Sequence, residues 1–319
     1  RIFYKPMPMN ELRDELDALI TPVRSGDPEK NTSSVQRFVA SLIRLGMSVS
    51  PATVHHSRRV SALATRAYTR LMQTRGEAPS GRAALSYAAL LHDMGKLFID
   101  QRVLAKQSPL YDEQIDVLEE RLTLLERYTS VRTPDDTDTA GMVARIRTGL
   151  KAAAGKPDHW ALIGASVTEL EEKTFTLRSE LDLKLIDGDM EEAMFGTTRG
   201  SLTDKERAEI ERHPVYSQQV AAGIPWGQEL QQVPYLCRYH HERLDGSGYP
   251  DGLSHPYEFS DELRVLSAAD VYDALTDPDR RYRSPLSPGE ALRVLKHEVA
   301  VGRLDGEAVE MVAWVVNTR

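Results

Sequence analysis

Nine histidines stand at positions 55, 56, 92, 159, 213, 240, 241, 255 and 297 of this chain. Five of them have neighbours that suit metal chemistry. His92 runs directly into Asp93 in HDMGK, with Gly95 and Lys96 just after. His240 and His241 are adjacent, and His213 precedes Pro214. His56 and Asp270 fall on apolar helical stripes. Burying several imidazoles and two carboxylates without a cation costs several kcal/mol per charged group. A bound divalent metal removes that cost and needs these ligands deprotonated. Imidazole with carboxylate, and no thiolate, suits iron, manganese, nickel or zinc. An aspartate directly after a histidine ligand can bridge two ions. Two ions roughly 3.5–4 Å apart can clamp the attacking and leaving oxygens of a phosphoryl transfer, with the water between them as nucleophile. Lys96, one helical turn beyond His92, can then meet the phosphate.

Any one of these residues taken alone has a plainer reading. A single histidine on an apolar face is more often a hydrogen-bonded core residue, and a single Asp270 a cap or ion-pair partner. His55, His159, His255 and His297 keep that reading, or simple exposure. Cys237 reads as a small buried apolar side chain. The joint pattern points to metal.

The elements that must position these residues are helical. His56, Val60, Leu63, Ala67 and Leu71 share one face, as do Leu85, Ala88, Ala89 and His92. Val233, Leu236, Cys237, His240 and His241 follow the same periodicity, and Leu263, Leu266, Asp270 and Asp273 line up in a fourth segment. A short amphipathic segment is expected over residues 9 to 24, then a linker, SGDPEKNTSS, with periodicity resuming near Ser34. Between the two halves of the histidine pattern lie long charged helices. Ile115, Leu118, Leu122 and Leu125 have heptad-like spacing. Met142, Ile146 and Leu150 form a second stripe, and Leu170, Leu177, Leu181 and Leu185 a third. DGDMEEAMFGTTRG, residues 187–200, reads as a loop. With no β-rich block, the fold class is all-α.

The chain has 319 residues, 41% of them hydrophobic, and a net charge of −8. That balance argues against a nucleic-acid-coating protein. One cysteine excludes an intramolecular disulfide and a thiolate zinc cluster, and suits a reducing, cytoplasmic setting. No apolar run is long enough to span a bilayer. A chain that opens on Arg1 reads as part of a longer protein, or as one with an unseen start.

HDMGK followed much later by HHERLDGSGYP resembles the HD-GYP phosphodiesterases, a branch of the HD superfamily of metal-dependent phosphohydrolases. HHSRRV resembles that family's first ligand helix and selects His56 over His55. LTDKERAEIERHPVYSQQV resembles the segment with the middle histidine, and RVLSAADVYDALTDPDRRYR the segment with the last aspartate and the phosphate-binding arginines. The resemblance covers roughly residues 45 to 106 and 198 to 316. It implies an HD-type helical bundle with an inserted antiparallel helical hairpin. The expected boundaries are an N-terminal helix and linker over 1–44, the domain in two parts over 45–107 and 198–319, and the insertion over 108–197.

The resemblance also implies a dinuclear site. His56, His92, Asp93 and Asp270 would hold one ion, and Asp93, His213, His240 and His241 the other, iron before manganese, nickel or zinc. Asp93 and Lys96 would be catalytic. Lys96, Arg280 and Arg283 would meet phosphate oxygens, and Gly248, Tyr249 and Pro250 would shape the rim over the ligand. The implied substrate is a cyclic dinucleotide, chiefly cyclic di-GMP, opened to pGpG or taken on to GMP by a hydroxide bridging the metals. An upstream sensor domain or a diguanylate cyclase would be the partner.

The chain departs from the family pattern in places. Ala52 stands where some members place a glutamate for a third metal, so two ions are expected. Arg281 replaces the usual proline of the arginine segment. The insertion suits dimerisation or partner docking, and a homodimer is expected. The alternatives are a receptor or partner-docking module without turnover, and an HD hydrolase acting on cyclic GMP-AMP or another nucleotide.

Overall fold

A computed structural model describes residues 28–153, 157–197, 200–278 and 285–318. The segment expected over residues 9 to 24 lies outside them. Among the described residues there is no strand. No helix of theirs is long and apolar enough to cross a membrane.

In chain order the main helices are α1 (Pro28–Val49), α2 (Pro51–Arg75), α3 (Arg82–Leu91), α4 (Asp112–Arg132), α5 (Thr137–Ala152), α6 (Pro157–Lys173), α7 (Phe175–Glu180), α8 (Gly188–Gly196), α9 (His213–Ala222), α10 (Val233–Tyr239), α11 (Asp261–Thr276), α12 (Pro288–Ala300) and α13 (Gly306–Asn317). α1 begins at Pro28, inside the stretch expected as linker. Proline is tolerated in the first turn of a helix, where its missing N–H has no intrahelical partner.

The chain divides into two compact units, Arg1–Gln101 with Glu209–Arg319, and Arg102–Ala208. In the first, α2 packs on α3, α11 and α13, while α10 packs on α3 and α9. Val54, Val60, Leu63, Ala67 and Leu71 supply the buried face of α2. Gly76, in the left-handed region at φ 72°, ends α2 and returns its N–H to the last carbonyls. Ser260, Ser287 and Asp305 cap α11, α12 and α13 through side-chain oxygens. Gly95 has a steric reason to be glycine. A Cβ there would lie 1.9 Å from the carbonyl oxygen of His213, so only glycine lets the Met94–Phe98 turn meet α9 this closely.

The second unit has its own core, built from Leu118, Leu122 and Leu125 of α4 with Ile146, Trp160 and Leu170. Arg147 on α5 spans Glu119 and Glu126 on α4, at 2.9 and 2.8 Å. Buried Lys106 pairs with Glu206 at 2.7 Å, tying the start of the unit to its end. The segment expected as a loop over 187–200 instead contains α8. Asp187 accepts from Met190 N at 3.0 Å, which starts the helix, and Met190, Ala193 and Met194 bury one side of it. The stripe through Leu170, Leu177, Leu181 and Leu185 is not continuous. α6 ends at Lys173, Asp182 turns the chain with φ 48°, and Leu177 and Leu181 are only half-buried.

Candidate metal centre

The ends of α3, α9 and α10, the second turn of α2 and the middle of α11 bring their histidines and aspartates to one point. The imidazoles are held by backbone. Nδ1 of His92 lies 2.8 Å from Ala89 O, Nδ1 of His213 2.7 Å from Ile210 O, and Nδ1 of His240 2.8 Å from Cys237 O. A carbonyl only accepts, so each Nδ1 carries the proton and each Nε2 presents a lone pair. These three Nε2 atoms, and Oδ1 of Asp93, are buried and have no hydrogen-bond partner. They converge: His213 Nε2 is 3.1 Å from Asp93 Oδ1, and His240 Nε2 is 4.0 Å from it. Lone pairs facing an ionised carboxylate across buried space call for a cation.

On the other side of Asp93, its Oδ2 lies 3.5 Å from His56 Nε2 and 3.6 Å from His92 Nε2. Asp270 closes that side, with Oδ1 3.0 Å from His56 Nε2 and 3.6 Å from His92 Nε2. His241 Nδ1 is 3.7 Å from Asp270 Oδ2. Two sets thus have ligand atoms within 4.8 Å of one another: Asp93, His213, His240 and His241; and His56, His92 and Asp270. The donor sets fit divalent ions, and Asp93 faces both.

A third grouping, His56, Asp273 and Asp277, is compact too. Arg59 already supplies its positive charge, donating to Asp273 Oδ1 at 2.9 Å and lying 2.9 Å from Asp277 Oδ1. Asp273 Oδ2 in turn takes Nδ1 of His56 at 2.8 Å. Periodicity placed Asp273 on the inward face of α11 but could not show what it would meet.

Protonation follows the geometry. Burial opposes charge on Asp93, but Lys96 and the surrounding histidines outweigh it and hold the carboxyl well below the usual range. Burial also opposes charge on Asp270, and its hydrogen bond with His56, helped by the nearby imidazoles, prevails and holds the carboxyl well below the usual range. Burial and neighbouring imidazoles push His240 and His241 well below the ordinary histidine value, so both are neutral. His56 goes the other way. Burial works against its charge, yet Asp270 and Asp273 push it up to about 9.

Lys96 Nζ sits 2.6 Å from Asp93 Oδ2 and is partly exposed. The Tyr249 ring lies over His241, with centroids 4.7 Å apart and planes at 31°. Tyr249–Pro250 is a cis peptide. At Gly248 a Cβ would lie 2.4 Å from the Arg243 nitrogen, so the loop folds tightly onto the segment after His241. Glu242, which sequence reasoning passed over, holds it there. Almost fully buried, it accepts from the backbone N–H groups of Asp251, Gly252 and Leu253 at 2.7, 3.1 and 2.9 Å. A carboxylate directly after the paired histidines was the available signal. Arg280, Arg281 and Arg283 lie outside the described residues. His55, His159, His255 and His297 are exposed.

Residues 191–308 match the HD domain family. That stretch contains His213, His240, His241 and Asp270, and the first compact unit joins them to His56, His92 and Asp93 from upstream. Over that stretch the chain is similar to the HD domain family. Three curated relatives are each similar to about a third of this chain. "3'3'-cGAMP-specific phosphodiesterase 1" of Vibrio cholerae is 36% identical over 35% of this chain and 25% of its own length. "Cyclic di-GMP phosphodiesterase PA4108" of Pseudomonas aeruginosa is 38% identical over 30% of this chain and 22% of its own. "Cyclic di-GMP phosphodiesterase response regulator RpfG" of Xanthomonas campestris is 36% identical over 30% of this chain and 25% of its own. The similarity therefore spans a quarter or less of each relative's length.

Proposed function

We propose that this chain is a metal-dependent phosphodiesterase of the HD-GYP type that hydrolyses cyclic di-GMP to pGpG or GMP. The observation that carries the reading is the set of three buried Nε2 atoms, each with its proton committed to Nδ1, around the Asp93 carboxylate: those of His213 and His240 face its unpartnered Oδ1, and that of His92 faces Oδ2. His56, His92, Asp93 and Asp270 would hold one divalent ion, and Asp93, His213, His240 and His241 a second. Iron is the first candidate, with manganese, nickel and zinc after it. When bound, such ions supply Lewis acidity towards the phosphate and a nucleophile at neutral pH.

The chain's own residues do the rest. Asp93, ionised and buried, fixes the separation of the two ligand sets. Lys96 carries its charge from Asp93 towards the open side, where it meets a non-bridging phosphate oxygen. The 248–250 loop, held by Glu242, forms a firm rim, and Tyr249 offers its ring to a base. Arg280 and Arg283 would bind phosphate oxygens. Relatives named for cGAMP and for cyclic di-GMP both support a cyclic dinucleotide, and 3'3'-cGAMP is the second substrate to test. The same reading extends to a cytoplasmic homodimer governed by an upstream sensor domain or a diguanylate cyclase partner.

The test is anaerobic reconstitution with iron or manganese, then incubation with cyclic di-GMP and 3'3'-cGAMP and separation of the products. Linear dinucleotide or mononucleotide that forms only with metal supports the reading. Binding of cyclic dinucleotide without turnover, with both metals loaded, would replace it with a receptor function.

A further inference from the structure

α4 buries Leu118, Leu122 and Leu125 in the second unit's core, yet three other apolar residues of the same helix face water. Val117 is 38% exposed, Leu124 48% and Val131 79%. Single exposed apolar residues are ordinary. These three recur every seven residues, which sets them in one stripe along the helix. Charges flank the stripe with a gradient. Asp116 and Glu120 lie towards the N-terminal end and Arg127 towards the C-terminal end, all exposed. Among the described residues none of these three side chains forms an ion pair, whereas Glu119, Glu126 and Arg132 on the same helix are paired within the unit.

We infer that this face of α4 is the contact between two copies of the chain, paired antiparallel about a two-fold axis at Leu124. The inference rests on the homodimer proposed above and supplies the surface that would form it. Val117 and Val131 each lie seven residues from Leu124, about 10.5 Å along the helix at its usual rise. Antiparallel pairing about Leu124 therefore stacks Leu124 on its counterpart and sets each Val117 against the other copy's Val131. Glu120, about 6 Å to one side of Leu124, comes level with the other copy's Arg127, about 4.5 Å from it on the same side. A parallel pair would align acid with acid and is disfavoured. An isologous contact of this kind closes at two copies.

Light scattering of the intact chain, at micromolar concentration, should give a dimer mass, and Leu124→Glu should give a monomer with unchanged circular dichroism and metal content. Cysteine substitution reads the symmetry directly, because native Cys237 is buried. Leu124→Cys should cross-link with its own kind on mild oxidation. Val117→Cys alone should not, but should cross-link when mixed with Val131→Cys. A monomeric wild-type chain would overturn both the dimer and this surface. A dimer that survives Leu124→Glu and shows no Leu124→Cys cross-link would overturn the surface alone. Neither arm depends on turnover, so failure of the phosphodiesterase reading stays distinguishable.

Discussion

Asp273 and His56, 217 residues apart in the chain, meet at 2.8 Å through Asp273 Oδ2 and His56 Nδ1. The contact leaves His56 Nε2 turned to Asp270 and Asp93. Arg59 grips the far oxygen of Asp273, so the carboxylate is itself fixed in place. The other buried imidazoles take backbone carbonyls on Nδ1, and His56 alone among His56, His92, His213 and His240 takes a carboxylate. Asp273→Ala should weaken metal at the His56 set by ~10–100-fold, the usual cost of losing such a partner. Competition with a chromogenic chelator measures it. Unchanged affinity would mean that His56 holds its orientation without Asp273.

Asp93 and Lys96 should separate holding metal from using it. Asp93→Ala removes the carboxylate that faces both ligand sets, and both ions should be lost with all turnover. Lys96→Ala should keep its metals while kcat falls by ~10²–10³, the typical effect of removing one preorganised electrostatic group. Metal analysis alongside steady-state kinetics distinguishes the two. Loss of metal in Lys96→Ala would give the lysine a structural role.

Glu242 predicts a coupling between loop and substrate. Glu242→Ala leaves three backbone N–H groups near the 248–250 rim without their acceptor. Each stranded donor costs about 1–3 kcal/mol when water cannot reach it. A lower melting temperature and a raised KM should appear together, with metal content kept. A stable protein with unchanged KM would show that the rim shapes itself.

Metal binding should release protons. Without metal, the His56 imidazole is pushed up to about 9, so near pH 7 it carries a proton that an incoming ion must displace. Asp93 and Asp270 are already ionised there, and His240 and His241 already neutral. Affinity should therefore rise with pH and level off near 9. Calorimetry in buffers of different ionisation enthalpy measures the released proton. A heat independent of buffer at pH 7 would contradict this protonation state.

What could be read from the sequence was what depends on local periodicity. His56 with Val60 and Leu63, or His240 with Leu236 and Cys237, announce a buried helical face because neighbours at three and four residues define it. The HHERLDGSGYP string announces a shaped loop because glycine and proline restrict the backbone. Pairings across the chain were not legible. Asp273 lay on the predicted inward face, but its meeting with His56 exists only once α2 and α11 pack. Glu242 stood in plain view, yet its three backbone donors come from a loop that folds back upon it. α8 was mistaken for a loop because Gly188 and Gly196 masked the cap at Asp187 and the Met190, Ala193 and Met194 face. The exposed stripe of α4 was hidden by the stronger stripe beside it.

Anomalous scattering at the edge of the reconstituted metal, from crystals of the loaded protein, tests the central claim most directly. The account predicts two peaks, one on each side of the Asp93 carboxylate, the first among His56, His92 and Asp270 and the second among His213, His240 and His241. One peak, or none, after reconstitution with iron and manganese would contradict it.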